Sequence, residues 1–487
     1  MSRAMPRVMP RLTAPVMMSV LLAAACAWLP LASHADVFST SSQVTPNPAS
    51  PLLGGGEMCR EGPISTPVTL FEAIERALCR SPKTRSAWAG VKSAAAGVGQ
   101  AKALYLPTLT GTADFGRQHD VTNVDGPPGL GSNLTENVNT EAVTLAWVLF
   151  DFGARSASVR NTHQLLLAAQ ANQNVVLQAT LAATARDYYA AQAAHAKVLS
   201  TRRIESGAQQ NFEAAGARYK SGVAPITDQL QANTAYAQAV YERAAAEGAA
   251  RTALGTLAID MSLQPDERLV MPELDQGALP DASFVHTVRE LLDEATENHP
   301  AVLAAKATWQ AALENVRVVR AQGLPVLSLA GSYSRLHQPL NPNIQSYEYP
   351  STSHDTMIGI NLQVPIFSGF STTYKIREAE AAADQQEQAL REAQQEVQLA
   401  AWSGFQTLEA DTENLKNTNT VLDAARQAFE AAAERYRSGV GNILELLSAQ
   451  TTLAGAEQQR IQAQLDWRTA RLQLAGSLGS LGMWAVK

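Results

Sequence analysis

Aromatic residues are scarce in this sequence of 487 residues. Phe, Trp and Tyr together make up 6% of the chain, whereas 46% of its residues are hydrophobic and 17% are charged. This balance is typical of a globular or membrane-associated protein and not of a disordered one. Because alanine supplies much of the hydrophobic content, we expect closely packed helices and not a thick aromatic core.

An excess of positive charge is also missing. The formal net charge is −7, and the first 35 residues carry Arg3, Arg7 and Arg11 but no acid. Without them the chain has 35 basic and 45 acidic residues, a net charge of −10. Phosphate binding requires a basic surface, so we expect no nucleic acid partner.

Long apolar runs are confined to the N-terminus. There an apolar stretch from Val16 to Leu31 follows the three arginines, and small residues precede Asp36. This pattern predicts a signal peptide over residues 1–35. Lipidation at Cys26 stays open as an alternative, although Ala23 stands where a lipid-attachment motif usually has leucine. No later run of 18 apolar residues occurs, so we expect no transmembrane helix in the exported chain.

Cysteine is nearly absent, with three in the chain. Removal of the signal peptide leaves Cys59 and Cys79 in an oxidising compartment, and we predict a disulfide between them. Two buried thiols are the alternative. Residues 36–67 are rich in Ser, Pro and Gly and lack periodicity, which predicts an extended strap and not a domain.

Proline is missing from two long stretches, between Pro128 and Pro225 and after Pro365. Residues 155–220 and 374–437 are therefore free to form helices of about 65 residues, each roughly 100 Å long. Their composition of Ala, Gln, Glu and Arg, with apolar positions three or four apart, indicates coiled-coil packing against neighbouring helices.

The chain also repeats itself. Phe212–Val223, "FEAAGARYKSGV", matches Phe429–Val440, "FEAAAERYRSGV", without a gap. We therefore predict a first structural repeat over 68–280 and a second over 281–487. Each repeat is expected to hold a helix (70–104 and 284–322), two strands, a very long helix, a tight turn and a further helix (226–259 and 443–481).

Four segments alternate between apolar and polar residues, as strands with one apolar face do: 106–117, 140–152, 324–335 and 355–367. They suit an outer-membrane barrel, with an antiparallel sheet packed on helices as the alternative. Four strands cannot close a barrel, so several chains would have to contribute. Polar residues 119–139 and 335–354 would form loops. Aromatic residues that would mark a membrane interface lie near the end of each second strand: Trp147, Phe150, Phe152, Phe367 and Phe370.

Motifs for catalysis are missing. The eight histidines are scattered, without the HExxH or Cys–His spacing of a metal site. The glycines from Gly126 to Gly131 lack the strand-to-helix setting of a phosphate loop, and no serine lies in a G-x-S-x-G elbow. We therefore expect no enzyme activity, no cofactor and no metal.

The tandem repeat, the strand pairs ending in "LFDFG" (149–153) and "PIFSG" (365–369) and the two "RYxSGV" turns together resemble the TolC family of outer-membrane channel-tunnel proteins. The resemblance covers about residues 68–481. It implies a mixed α and β, mainly α fold. A homotrimer would form a 12-stranded outer-membrane β-barrel that continues as a 12-helix periplasmic α-barrel.

The same resemblance implies a location in the outer membrane, in contact with its lipid, with a long periplasmic extension. The implied partners are a periplasmic adaptor (membrane fusion protein) and an inner-membrane ABC transporter or proton-driven pump.

In that family each "RYxSGV" lies where a long helix reverses at the periplasmic mouth. The residues assigned to the two turns are Tyr219, Gly222, Pro225, Tyr436, Gly439 and Gly441. Beyond the turns, Glu445 and Asp228 are candidates for acidic rings at the pore entrance. Their alternative role is to stabilise a first helical turn, with Asn442–Glu445 as a capping box.

The chain departs from the family at two positions. Gly441 stands where an arginine latches the closed mouth, and Ser448 where a second acid often occurs. A link between Tyr436 and Asp228 is retained by the resemblance, so we expect a latch with fewer bonds.

Residues Ala77–Pro82, "ALCRSP", with Cys59 upstream, resemble the type I secretion branch that includes the adenylate cyclase toxin exporter. We therefore favour an exit duct for type I protein secretion. The alternatives are the outer membrane component of a proton-driven multidrug efflux pump and, from a different class, a non-channel exported coiled-coil envelope protein.

Overall fold

A computed structural model describes residues 36–53, 59, 62–123, 125–126, 132–273, 288–338 and 351–479. The predicted signal peptide, residues 1–35 with Cys26, lies outside these ranges. In the described ranges, no helix has both the length and the apolar character needed to cross a membrane.

The first repeat begins with two helices, α1 (Leu70–Arg80) and α2 (Pro82–Ala103), where the sequence predicted one. The break has a local cause, because Pro82 has no N–H and disfavours a helical conformation at Ser81. Strands β1 (Thr108–Thr122) and β2 (Ser132–Phe150) follow, and then the long α3 (Ala154–Lys220) and α4 (Ile226–Asp260).

The second repeat has the same order. It contains α5 (Val288–Asn298), α6 (Pro300–Ala321), β3 (Val326–His337), β4 (Thr352–Gln363), α7 (Ser371–Arg437) and α8 (Ile443–Ser477). Pro300 divides the predicted helix 284–322 as Pro82 divides the first, and residues 284–287 lie outside the described part. Helix α8 ends four residues before its predicted end at 481, and Gly479 follows with a left-handed φ of 70°.

The two helical hairpins match residue for residue. Helices α3 and α7 each have 67 residues, and α4 and α8 each have 35. The shift between them is a constant 217 residues, from 154 to 371 and from 226 to 443. At about 1.5 Å per residue, each long helix spans roughly 100 Å.

The strands form one antiparallel sheet in the order β1–β2–β3–β4. The β1–β2 ladder continues to the pair Thr122 and Ser132, so residues 119–122 and 132–139, which we expected in a loop, belong to strands. Hydrophobic alternation does not mark this polar extension of the ladder. Strand β4 stops at Gln363, short of the predicted 367, near Pro365, which has no N–H to donate to a ladder.

One face of this sheet is apolar across all four strands. The register places two rows side by side: Leu109–Leu145–Gly331–Ile358 and Trp147–Leu329–Ile360. Leu109 and Ile360 are 71% and 69% exposed, so no described helix covers the apolar face within one chain. This exposure argues against the alternative of a sheet packed on helices.

The strap lies along α2 and α3. Trp88 Nε1 donates to the carbonyl oxygen of Thr45 at 2.9 Å, and Gln173 Nε2 donates to that of Pro48 at 3.0 Å. The prediction of an extended strap is wrong in two places, because Thr40–Gln43 forms a 3₁₀ turn and Ser50–Leu53 a helical turn. Beyond them Cys59 and Cys79 form a disulfide, with their Cα atoms 5.5 Å apart.

The helices pack side by side in two rows. Near the reversal turns the order is α4–α3–α8–α7, and near the sheet it is α2–α3–α6–α7. Alanines fill much of the contact surface, as in the cluster of Ala215, Ala232 and Ala433 at the turns. In both rows α7 lies at one edge, and a first-repeat helix lies at the other.

The end of α4 carries a carboxyl group in an unfavourable setting. Burial, together with a hydrogen bond and like charge from Asp187, raises the pKa of Asp260 to about 6. One of the Asp260 carboxylate oxygens is buried without a hydrogen-bond partner among the described residues. The folded protein therefore binds a proton here that the unfolded chain releases between about pH 4 and pH 6, so stability falls as pH rises through that window.

We predict that Asp260→Asn stabilises the protein above pH 6. The amide carries no charge to desolvate, and we expect a gain of about 1 kcal/mol at pH 7.5. The expected gain is smaller than the free energy that corresponds to the full pKa shift of Asp260, because water screens the half-exposed pair of Asp260 and Asp187. Thermal unfolding at pH 7.5 and pH 4.5 measures it, with exposed Asp266→Asn as the control. An equal gain at both pH values would contradict the prediction.

Candidate functional site at the helix-reversal turns

Each "RYxSGV" motif ends a long helix in the same hydrogen-bonded turn. In the first, the N–H of Gly222 donates to the carbonyl of Tyr219 at 2.9 Å, and that of Val223 donates to Arg218 at 3.0 Å. These two bonds define a Schellman motif, which needs a left-handed residue at the glycine. Gly222 has φ 75°, and Gly439 has φ 83° in the second turn.

The second turn repeats these bonds and adds a side-chain cap. Gly439 donates to Tyr436 at 3.2 Å and Val440 to Arg435 at 3.1 Å. The Asn442 carboxamide oxygen accepts the N–H of Glu445 at 2.7 Å, which forms half of the predicted capping box. In the first turn Pro225 precedes α4 with an extended ψ of 157° and makes no side-chain cap.

Arg218 joins the two turns to each other. Its Nη1 donates to the carbonyl oxygen of Tyr436 at 2.7 Å, and its guanidinium lies over the Tyr436 ring at 4.8 Å. Tyr436 is buried against Ile443 and Leu446. Sequence reasoning missed this arginine, although it precedes the tyrosine in both copies of the motif.

The expected link between Tyr436 and Asp228 is not formed. The hydroxyl oxygen of Tyr436 is buried without a hydrogen-bond partner among the described residues. Burial raises the pKa of Tyr436, the positive charge of Arg218 opposes this rise, and the negative charge of Asp228 adds to it. Asp228 thus acts on Tyr436 through its charge and not through a bond.

Glu445 does not stand alone at the second turn. Its Oε1 lies 3.3 Å from Nε of Arg435, and both side chains are about half exposed. The turn brings the two residues together, because Arg435 lies in the last turn of α7 and Glu445 in the first turn of α8. A ring of Glu445 would therefore carry a partly neutralised charge, which the sequence prediction of an acidic ring left out.

Gly441 lies too close to α7 to carry a side chain freely. A Cβ atom there would be 3.0 Å from both the Cβ of Arg435 and the backbone nitrogen of Tyr436. Its N–H donates to the carbonyl of Arg435 at 2.9 Å. The space that a side chain at position 441 would need is thus filled by the end of α7.

The predicted interface aromatics form two ring pairs. Phe150 and Phe152 meet edge to face at 4.8 Å, and Phe367 and Phe370 at 5.5 Å. Trp147 Nε1 donates to the carbonyl of Tyr105 at 2.9 Å. All five predicted aromatics are exposed in the single chain. They lie at the far end of α3 and α7 from the reversal turns, so the structure holds two separate sets of candidate residues.

An arginine that sequence reasoning missed fixes the junction between β2 and α3. Arg155 Nε donates to Asp151 at 2.8 Å, and its Nη1 and Nη2 donate to the carbonyls of Val148 and Leu149 at 2.6 and 3.2 Å. Asp151 also accepts the N–H of Arg155 at 3.0 Å. The second repeat has Thr372 at the equivalent position, so the repeat gives no signal for this clamp.

Among the described residues, no three His, Cys, Asp or Glu side chains converge as metal ligands would. The two reversal turns provide a defined backbone geometry, paired charges and exposed apolar side chains. Such an arrangement suits contact with other protein chains.

Comparison with known proteins identifies the family. The model of the family described as Outer membrane efflux protein matches residues 73–259 and 291–480. The chain belongs to this outer membrane efflux protein family. The two matched segments correspond to the two structural repeats, and the resemblance inferred from the repeated motifs is confirmed.

Similar proteins span most of the chain. Protein CyaE of Bordetella pertussis is 33% identical over 416 residues, 85% of this chain and 85% of the relative. Outer membrane efflux protein BepC of Brucella suis is 25% identical over 440 residues, 89% of this chain and 90% of the relative. The outer membrane protein VceC of Vibrio cholerae has a similar fold, with a TM-score of 0.70 at 20% identity over 84% of this chain and 96% of that one.

Membership in the outer membrane efflux protein family establishes the location and the general role. The protein is an outer membrane export channel with a long helical extension. The described sheet and hairpins are the parts of that fold that a single chain supplies.

Proposed function

We propose that three copies of this chain form the outer membrane exit duct of a type I secretion machine. The observation that carries the proposal is the exposed apolar face of a four-stranded sheet with open edges at β1 and β4, above hairpins of roughly 100 Å. Three such sheets give 12 strands, enough to close a barrel with lipid outside.

The proposal includes two partners. An inner-membrane ABC transporter supplies the energy, and a periplasmic adaptor joins it to the duct. The reversal turns fit the adaptor, because they expose a small apolar surface: Val223, Leu230, Val440 and Leu444. Exposed apolar clusters of this kind mark protein contacts.

Secretion is favoured over multidrug efflux by two sequence observations. "ALCRSP" at Ala77–Pro82 resembles the secretion branch, and identity to Protein CyaE is 33% against 25% for the efflux protein BepC. In the host, deletion of the gene is expected to remove a protein from the culture medium and to leave drug susceptibility unchanged. Increased drug susceptibility with an unchanged set of secreted proteins would favour the efflux pump.

Planar-bilayer recording tests the duct directly. The purified full chain is expected to conduct ions in the bilayer. In a separate measurement, its particle is expected to have the mass of three copies. A particle that never conducts would favour a coiled-coil envelope protein without a channel.

The pair of Glu445 and Arg435 gives this recording a sharper prediction. Glu445→Gln leaves Arg435 unneutralised, so the ratio of cation to anion permeability is expected to fall at least about twofold. Arg435→Gln is expected to raise the ratio. Glu434→Gln is the matched control, because it removes the same charge from an exposed side chain of the same motif, paired with Arg437. If neither Glu445→Gln nor Arg435→Gln moves the reversal potential, the pair does not line the pore.

A further inference from the structure

The two helices at the edges of the helical row are related by the sequence repeat to the two helices that pack together in its middle. In the row α4–α3–α8–α7, the central contact joins α3 of the first repeat to α8 of the second. Adding 217 to the residue numbers of α3 gives those of α7, and subtracting 217 from those of α8 gives those of α4. The two helices at the free edges are therefore the repeat counterparts of the two that already pack together.

Exposure at the turns shows which surfaces lack their partner. Tyr436 is 5% exposed, whereas its counterpart Tyr219 is 41% exposed. Ile443 is 2% exposed, and its counterpart Ile226 is 48% exposed. Ile443 on the middle helix α8 is thus covered, whereas its counterpart Ile226 on the edge helix α4 is uncovered.

The middle contact contains a polar pair whose counterparts carry opposite charges. Arg468 Nη1 of α8 donates to Oε1 of Gln192 of α3 at 2.8 Å. The repeat counterpart of Arg468, 217 residues earlier, is Arg251, and that of Gln192, 217 residues later, is Glu409. Both counterparts are exposed, and neither forms an ion pair in the described part of the chain.

We propose that α4 of one copy packs against α7 of the next, with Arg251 of one chain paired to Glu409 of its neighbour. The occupant of each free edge is a second copy, because the internal contact is the template for it. A contact between unlike edges generates a ring when the rotation closes. The sheet has the same order, with β1 and β4 at its edges, so one rotation joins the sheet and the helical rows alike. This inference rests on the proposed three-copy duct.

Charge reversal in the purified full-length protein tests the pair. Arg251→Glu and Glu409→Arg each place like charges at every contact between copies. Each is expected to shorten the half-time of heat dissociation of the trimer about tenfold, and the double variant is expected to restore it to within about twofold of wild type. Restoration separates a direct pair from independent damage to folding.

Glu430→Arg is the matched control on the same helix. Its first-repeat counterpart, Glu213, stays exposed although the second hairpin is present, so position 430 is expected to lie outside the contact. The control should leave the half-time within about twofold of wild type.

The outcomes separate the two proposals. A wild-type protein that is monomeric in mild detergent would contradict the three-copy duct itself. A wild-type trimer whose single reversals behave like the Glu430→Arg control, or whose double variant fails to recover, would overturn only the pairing of Arg251 with Glu409.

Discussion

Replacing Arg155 with alanine is expected to lower the free energy of unfolding by about 3–5 kcal/mol. The substitution removes the partner of a carboxylate whose side chain is only 12% exposed, and an uncompensated buried charge has about this cost. It also leaves two strand-end carbonyls without their donor. Thermal unfolding of the purified protein, followed by circular dichroism, measures the loss.

The matched control for this prediction is Arg160→Ala. Arg160 pairs with Glu314 at 2.9 Å, but its side chain is 49% exposed, so its loss is expected to cost below about 1 kcal/mol. The double variant with Asp151→Asn should recover part of the stability lost in Arg155→Ala, because it removes the stranded charge. Equal effects of Arg155→Ala and Arg160→Ala would contradict a buried clamp at the junction.

Removal of the disulfide is expected to cost about 3 kcal/mol. Cys59 and Cys79 are 20 residues apart in sequence, and cross-linking a loop of this size restricts the unfolded chain by about that amount. The measurement compares unfolding of wild type with that of the double variant Cys59→Ser and Cys79→Ser. Part of the loss would come from release of the strap, because Cys79 packs with Ala49 and Leu53 in one apolar cluster.

A reducing agent provides the internal control for the disulfide. It should lower the stability of wild type toward that of the double variant and leave the double variant unchanged. A double variant as stable as wild type would mean that packing alone holds the strap in place.

The helical part of the fold was largely predictable from the sequence. The absence of proline fixed where α3 and α7 run, and Gly222 and Gly439 marked their ends, because these turns require a left-handed glycine. The division at Pro82 and Pro300 was missed, although the local rule was available. The strand ends were missed because backbone pairing continued through polar residues that carry no apolar alternation.

The candidate site was predictable only in its local parts. Capping at Asn442 depends on neighbours in sequence, so the pattern itself indicates it. The contacts of Arg218 with Tyr436 and of Arg155 with Val148 depend on how separate elements meet in space. Position 441 illustrates the difference: the sequence gives a departure from the family, and only the packing against α7 explains why glycine fits there.

The equal lengths of α3 and α7 constrain how such a protein changes its height. A deletion of two helical turns in α3 alone would move its reversal turn away from that of α7 and separate Arg218 from Tyr436. The same deletion made in both repeats, with matching deletions in α4 and α8, would keep the two reversal turns aligned. Insertions and deletions in these helices are therefore tolerated only when both repeats acquire them together.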